Sequence, residues 1–159
     1  MTAGLVVRRA VEADAPLIAQ MIDELNRHQG EETGHVTAEA VRRDGFGARP
    51  EFGVLIAELD GKPAGYALFH PTWSTEVGER GFYLYDLYVR DSARGHGVGR
   101  ALMRALARAA KEEGRTFLWW NSKAWNEEAR AFYRTLGGIE EEVRAHALFG
   151  EAFERLAEG

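Results

Sequence analysis

The hydrophobic positions of the chain switch repeatedly between a strand-like period of two and a helix-like period of three to four. Apolar side chains recur at helical spacing from Leu17 to Leu25, which predicts a helix over residues 12–28. A second stripe, from Val98 to Ala109, predicts a helix that ends at Gly114. Shorter helices are predicted at 37–43 and 127–136, with Thr37 and Asn126 as N-caps, and at 151–157. Strands are predicted at 5–9, 54–59, 65–70, 81–89, 116–121 and 143–149.

The order of these elements determines the expected fold class. Before the terminal helix it is β-α-α-β-β-β-α-β-α-β, which predicts one α/β domain with a mixed sheet across residues 1–159. Asp60-Gly61 lies between two of the predicted strands and predicts a β-hairpin there. The sequence contains no internal repeat and no low-complexity linker.

Composition narrows the function classes. The 159 residues carry a formal net charge of −5, whereas nucleic-acid-binding proteins are normally basic, so no nucleic-acid partner is expected. The absence of cysteine excludes disulfides, thiolate metal sites and cysteine nucleophiles, and the five histidines show no metal-ligand spacing. No signal peptide or membrane-spanning run is evident, so a cytoplasmic protein without a membrane partner is expected.

The segment RGHGVG places three glycines, Gly95, Gly97 and Gly99, between a predicted strand and a predicted helix. N–H groups at a helix N-terminus form an anion site, and glycines let a phosphate approach them. Arg94 adds a charge-assisted partner. The glycines alone are equally compatible with a loop that merely turns the chain, because short glycine motifs are weak signals.

Two common nucleotide motifs do not fit this segment. A dinucleotide fingerprint needs G-x-G-x-x-G, but the last position falls on Arg100 when counted from Gly95, and on Leu102 when counted from Gly97. A P-loop needs a terminal Gly-Lys-Ser/Thr, which the segment lacks. The pattern that remains is R-x-x-G-x-G, formed by Arg94, Gly97 and Gly99.

With this motif the chain resembles the GNAT superfamily of acyl-CoA-dependent N-acyltransferases. The resemblance extends to VRRAVEADAPLIAQMI near the N-terminus and to AWNEEARAFYRTLGG, which matches the family pattern Asn-x-x-Ala-x-x-Phe-Tyr-x-x-x-Gly. It implies a mostly antiparallel sheet, splayed at the cofactor site and flanked by helices on both faces. It also implies acetyl-CoA (coenzyme A) as the cofactor. The implied cofactor-binding residues are Leu87, Tyr88, Val89, Arg94, Gly95, His96, Gly97, Val98, Gly99, Arg100, Asn126, Phe132 and Tyr133.

Acetyl transfer to an amine requires deprotonation of the amine and an acid for the leaving thiolate. The resemblance makes Tyr133 the acid, although its spacing with Ala129 and Phe132 also suits a core aromatic. Asp86 lies in an otherwise apolar strand, where burying a carboxylate costs free energy unless it has a partner or a function. By resemblance it lines the amine site; a structural carboxylate bonded to a neighbouring segment is an equal alternative.

Several segments, including DGFG and YLYDLYV, resemble the diamine and polyamine N-acetyltransferase branch (spermidine/spermine and thialysine). That branch usually has Glu-Asp where this chain has Tyr85-Asp86, and a second acid of the branch matches Gln29. The loss of two anionic contacts favours a small amine or an amino acid over a long polycation. Tyr85, Asp86 and Gln29 are the expected substrate residues by their match to the branch. Trp73 is expected with Tyr85 in an aromatic pocket, with a core or dimer-interface position as the alternative for such aromatics.

The resulting hypothesis is an N-acetyltransferase that modifies a small-molecule primary amine by direct transfer in a ternary complex, since no cysteine is present to carry the acyl group. The branch resemblance also implies a homodimer. A protein or peptide N-acetyltransferase, and a non-catalytic acyl-CoA-binding module, remain alternatives.

Overall fold

A computed structural model of the protein describes residues 4–159 and divides the chain into two compact units. The first unit ends at Asn121 and the second spans Ser122–Gly159. The first contains a five-stranded sheet in the order β1-β2-β3-β4-β5, antiparallel except for the parallel pair β4–β5. The strands are β1 (Leu5–Arg9), β2 (Gly53–Leu59), β3 (Lys62–Ser74), β4 (Glu79–Val89) and β5 (Phe117–Trp120).

Five α-helices are present within residues 4–159: α1 (Ala15–His28), α2 (Ala38–Gly45), α3 (Val98–Glu112), α4 (Glu127–Arg134) and α5 (Gly150–Glu158). The two predicted N-caps are confirmed. The Thr37 side chain accepts a hydrogen bond from the N–H of Ala40 at 3.1 Å, and Asn126 Oδ1 accepts one from the N–H of Ala129 at 3.1 Å. Each cap satisfies a backbone donor that the first turn of its helix leaves without a carbonyl partner.

Helices cover both faces of the sheet, as expected. On one face, Ile18 and Met21 of α1 pack in a buried cluster with Ile56 of β2 and Tyr66 of β3. Because side chains alternate along a strand, the neighbouring residues of β2 and β3 are buried on the opposite face, where α3 contacts the sheet. Strand β4 therefore lies next to β3 in a sheet that is buried on both faces, with β5 beside its first part.

The β2–β3 hairpin forms as predicted, with Asp60 and Gly61 both at positive φ in the turn. Strand β3 runs to Ser74, further than the predicted end at residue 70. Pro71 lacks an N–H and suggests a strand end, but in the described part of the chain β2 accompanies β3 only as far as Phe69. Beyond that point Pro71 removes no bond to β2, and β3 continues beside β4.

The second unit corrects one prediction. Residues 143–149, predicted as a strand, have no strand conformation, and α5 follows them. Alternating polarity indicates which residues share a face, but a strand also requires a neighbour with which to pair. The sheet as described ends at β5. The mixed α/β class is confirmed, whereas the prediction of a single domain over the whole chain stays a prediction.

Candidate active site

In the part of the chain that the structure describes, the carboxyl-terminal half of β4 has no strand paired with it on the β5 side. Its pairing with β5 covers only Gly81–Leu84. Within residues 4–159, Tyr85–Val89 has β3 on one side and no strand neighbour on the β5 side. Such an edge presents backbone N–H and C=O groups that an extended ligand can satisfy. The expected splay is present at Leu87, Tyr88 and Val89.

A β-bulge marks the start of this open stretch. Asp86 pairs with Leu68 and Leu84 pairs with Phe69, which leaves Tyr85 as the extra residue on β4. A bulge bends the strand and redirects its side chains. Tyr85 is accordingly exposed, with 68% of its surface accessible, while Asp86 is partly buried. The two adjacent substrate candidates thus have different environments.

A hydrogen bond fixes the Asp86 carboxylate. The Tyr66 hydroxyl donates a 2.8 Å hydrogen bond to Asp86 Oδ2. Burial raises the pKa of the Asp86 carboxyl above its ordinary value, and the Tyr66 bond partly opposes that rise. In the described residues Asp86 has no ion-pair partner. A desolvated carboxylate without a cation is suited to binding an ammonium group or accepting its proton.

The glycine segment connects this strand to α3. A short 3-10 turn at Asp91–Ala93 is followed by Gly95 and Gly97, both with φ of +78°. Gly97 is the N-cap of α3, and that left-handed conformation favours glycine. The N–H groups of Val98 and Gly99 lie in the first turn, where the helix supplies no carbonyl partner. The segment forms the strand–turn–helix arrangement that its sequence predicts.

Two side chains order this turn. The Arg94 guanidinium pairs with Asp91 at 3.0 Å and donates through Nε to the Val89 carbonyl at 3.4 Å. His96 Nδ1 donates to the Arg94 carbonyl at 2.9 Å. The His96 side chain therefore stabilises the loop itself, a role that the sequence did not indicate. Arg100 is exposed on the first turn of α3.

These features fit coenzyme A. A Cβ added at Gly95 or Gly97 would meet nothing within 4 Å, so the backbone beside both glycines is open to an approaching group. First-turn N–H groups suit a pyrophosphate, and the open edge of β4 suits the amide groups of a pantetheine arm. Gly65 of β3 is needed for the tight strand pairing here, because a Cβ would collide with the Tyr88 carbonyl oxygen.

The second unit carries the remaining candidates. Phe132 and Tyr133 lie on α4, partly buried, with ring centroids 5.5 Å apart. Asn126 has a structural role as the N-cap of the same helix. The predicted spacing of these residues on one helix is confirmed, and their catalytic and cofactor roles stay predictions.

The first unit also contains the substrate candidates Gln29 and Trp73. Gln29 is the C-cap of α1, where its N–H donates to the Leu25 carbonyl. Trp73 pairs with Arg80 near the β3–β4 turn, whereas Asp86 pairs with Leu68. At about 3.3 Å per residue, roughly 16 Å of strand separates Trp73 from Leu68. The structure therefore places Tyr85 beside Asp86, but not Trp73.

Sequence reasoning missed Tyr66 and the ion pair formed by Glu24 and Arg90. Arg90 binds both Glu24 oxygens, at 2.9 and 3.0 Å, and so joins α1 to the end of β4. The one available signal for Tyr66 was a tyrosine in the apolar segment GYALF, since a buried hydroxyl needs a partner. Among residues 4–159 no cluster of three or more metal-ligating side chains occurs, and no helix is long and apolar enough to span a membrane.

Comparison with known proteins agrees with this arrangement. A model of the Acetyltransferase (GNAT) family matches residues 18–137. Thialysine N-epsilon-acetyltransferase from Sus scrofa is 33% identical over 98% of this chain and 98% of its own. L-ornithine N5-acetyltransferase from Arabidopsis thaliana is 32% identical over 58% of this chain and 41% of its own.

A solved integron cassette protein from the mobile metagenome of V. cholerae has the same fold. Its TM-score is 0.82 at 23% identity, and the superposition covers 99% of this chain and all of the other. The family match and the full-length relative together define the class of the protein. The chain belongs to the GNAT family of acetyltransferases and is an acyltransferase enzyme.

Proposed function

We propose that the protein transfers an acetyl group from acetyl-CoA to the primary amine of a small amino acid or diamine. The observation that carries this proposal is the partly buried carboxylate of Asp86, which has no cationic partner in the described residues and lies beside the open edge of β4. The edge suits the acyl donor and the carboxylate suits the amine, so the two reactants would meet at one point of the strand.

The cofactor would be held by the backbone of Leu87–Val89 and by the loop from Arg94 to Gly99. When bound, it supplies the acetyl group as an activated thioester. Asp86 receives the substrate ammonium and removes its proton, and the pKa of Asp86, raised by burial, makes it a stronger base than an exposed aspartate. Tyr133 would donate its hydroxyl proton to the leaving thiolate. This last assignment rests on the motif AWNEEARAFY.

The charges on the open strand support the proposed substrate class. Tyr85 presents an exposed neutral ring next to Asp86, so one carboxylate rather than two would meet the substrate. A single carboxylate supports an amine with one ammonium at the reacting end. Thialysine and ornithine are the substrates in the names of two relatives, and both are amino acids that bear a side-chain amine.

Direct transfer is testable by kinetics. The chain has no cysteine to carry an acetyl group between substrates, which supports a ternary complex. We expect initial rates measured at several concentrations of both acetyl-CoA and lysine or ornithine to give intersecting double-reciprocal lines. The product should be the monoacetylated amine by mass spectrometry. Parallel lines would indicate an acetylated enzyme and contradict this mechanism.

We infer that the active protein is a homodimer and that the segment preceding α5 contributes to its interface. This segment and α5 carry large apolar side chains with more than half of their surface exposed: Ile139, Val143, Phe149, Phe153 and Leu156. A segment that exposes several large apolar side chains is typical of an interaction site. A second copy of the chain would cover this surface with the same residues of its own, as in a two-fold symmetric dimer.

A further inference from the structure

Tyr66 and Asp86 form a polar contact on the α1 side of the sheet. Tyr66 pairs in register with Tyr88, and Asp86 pairs with Leu68, so the two side chains are diagonal neighbours on adjacent strands. Diagonal neighbours are within reach of an aromatic side chain. The Tyr66 hydroxyl spans this diagonal and donates to Asp86 Oδ2 at 2.8 Å.

The Tyr66 ring is fixed in the core. Its exposed fraction is 0%, it belongs to the buried cluster with Ile18 and Ile56, and the Tyr88 ring lies tilted against it at 6.2 Å. Burial and the nearby Asp86 charge raise the pKa of the Tyr66 hydroxyl far above its ordinary value. The hydroxyl therefore remains protonated, and its single hydrogen points to Asp86.

The charged groups around this pair leave Asp86 as the anion available to a ligand. Glu24 on α1 is already bound through both oxygens to Arg90. Tyr88 on β4 is neutral, and burial and Glu24 raise the pKa of its hydroxyl. The remaining titratable neighbours of the pair on the two strands are Tyr83 and Tyr85 on β4 and His70 on β3, whose ring stacks on Tyr83.

We propose that Tyr66 is the positioning residue for Asp86: it holds Oδ2 from the protein interior, so that Oδ1 is presented to the ammonium group of the substrate. The inference rests on the proposed function, in which Asp86 meets the amine. The inference adds that a buried tyrosine hydroxyl fixes one oxygen of the Asp86 carboxylate and leaves the other oxygen to bind the substrate. Tyr66 itself touches neither reactant.

The substitution Tyr66→Phe tests this directly because it removes only the hydroxyl. We expect kcat/KM for the amine to fall about tenfold, the size expected for a lost hydrogen bond to a charged group, while KM for acetyl-CoA stays unchanged. The acid limb of the kcat/KM profile should move to higher pH, because the ionised form of Asp86 loses a donor. A purely structural role would not move that limb.

A matched control is Tyr83→Phe. Tyr83 lies on β4, and its hydroxyl accepts a 2.9 Å hydrogen bond from Asn121 Nδ2 instead of contacting Asp86. This variant loses a hydrogen bond of similar length and should keep the wild-type pH profile. In an Asp86→Asn background, Tyr66→Phe should cause no further loss of amine turnover, since the two residues act as one unit.

If Tyr66→Phe does not fold, a second variant, Asp86→Glu, tests the same proposal. Asp86→Glu keeps the charge but lengthens the side chain by one methylene, which disturbs the 2.8 Å contact with the Tyr66 hydroxyl, and should also lose about tenfold in kcat/KM for the amine. A wild-type pH profile for Tyr66→Phe, or wild-type amine kinetics for Asp86→Glu, would overturn the positioning role with the proposed function intact. Absence of turnover by the wild-type enzyme with every amine would overturn both.

Discussion

Among the single residues, Asp86 combines a functional charge with an unfavourable environment. Burial raises its pKa, so the folded state binds the proton more tightly than the unfolded chain does. By linkage, the folded protein loses stability as the pH rises from the ordinary aspartate pKa through the raised value, because Asp86 must then ionise in a desolvated position. The carboxylate is therefore maintained at a cost to folding, which is common for groups that act on a ligand.

The substitution Asp86→Asn separates these two effects. Asparagine can still accept the hydrogen bond from Tyr66, but it carries no charge to desolvate. We expect a higher melting temperature than the wild type near neutral pH and a difference that shrinks on acidification, together with a fall in amine turnover of about 10²-fold or more that leaves a measurable residual rate. Thermal unfolding from pH 8 to pH 4 measures this. A variant that is less stable than the wild type at pH 8 would show that the ionised carboxylate stabilises the fold.

Tyr133 is the second residue whose role one substitution can decide. Tyr133→Phe keeps the ring and therefore its packing against Phe132. If the hydroxyl is the acid, kcat should fall about 10²-fold, within the range of general acid catalysis, with unchanged acetyl-CoA binding by calorimetry. Wild-type kcat in this variant would make Tyr133 a core aromatic.

Residue-level prediction from sequence succeeded where the signal is local. Thr37 and Asn126 were identifiable as N-caps because a cap depends on residues within one helical turn. The contact between Tyr66 and Asp86 was not, because it depends on strand register and on the bulge at Tyr85. A shift of one residue would place Asp86 on the opposite face of the sheet.

At the scale of secondary-structure elements, the turn before α3 determines whether an anion can bind. Gly97→Ala forces a side chain into a left-handed position, which costs about 1 kcal/mol of folding stability. It also places a methyl group in the space beside the first-turn N–H groups. We expect acetyl-CoA affinity, measured by calorimetry, to fall at least about tenfold, since close approach to those N–H groups is what the glycine permits.

Gly78→Ala provides the matched control. Gly78 lies before β4 with φ of +72°, and a Cβ there also meets nothing within 4 Å. The backbone strain is comparable, so both variants should lose similar stability in urea titrations, while Gly78→Ala keeps wild-type cofactor affinity. Equal loss of affinity in the two variants would attribute the effect to destabilisation and contradict the anion site.

The elements themselves were predictable to different degrees. The helical stripe after Val98 and the Asp60-Gly61 hairpin follow from local patterns, and both are present in the structure. The predicted strand at 143–149 was wrong, because pairing partners are not encoded in alternation. The splay between β4 and β5 came from the resemblance to a known family, since nothing local in β4 shows where β5 stops pairing.

For the molecule as a whole, the exposed apolar residues of the second unit predict self-association. Phe149, with 80% of its surface exposed, is suited to test this. We expect light scattering to give twice the monomer mass for the wild type and the monomer mass for Phe149→Asp, because a charge in an apolar interface is desolvated without a partner.

Val77→Asp is the control for that measurement. Val77 is 65% exposed and lies in the turn between β3 and β4, in the first unit. The same charge introduced there should leave the mass unchanged. A monomeric wild type would contradict the dimer without affecting the proposed chemistry.

The central claim is that the whole protein acetylates a small amine that carries one ammonium at its reacting end. Because the chain has no cysteine, a thiol reagent reports the release of coenzyme A without background from the protein. The most direct measurement is thiol release from acetyl-CoA with lysine, ornithine, thialysine, putrescine, spermidine and a basic peptide in parallel. We predict the highest kcat/KM for the amino acids with a side-chain amine. Release only with spermidine would contradict the inferred substrate class, and no release with any amine would contradict the proposed function.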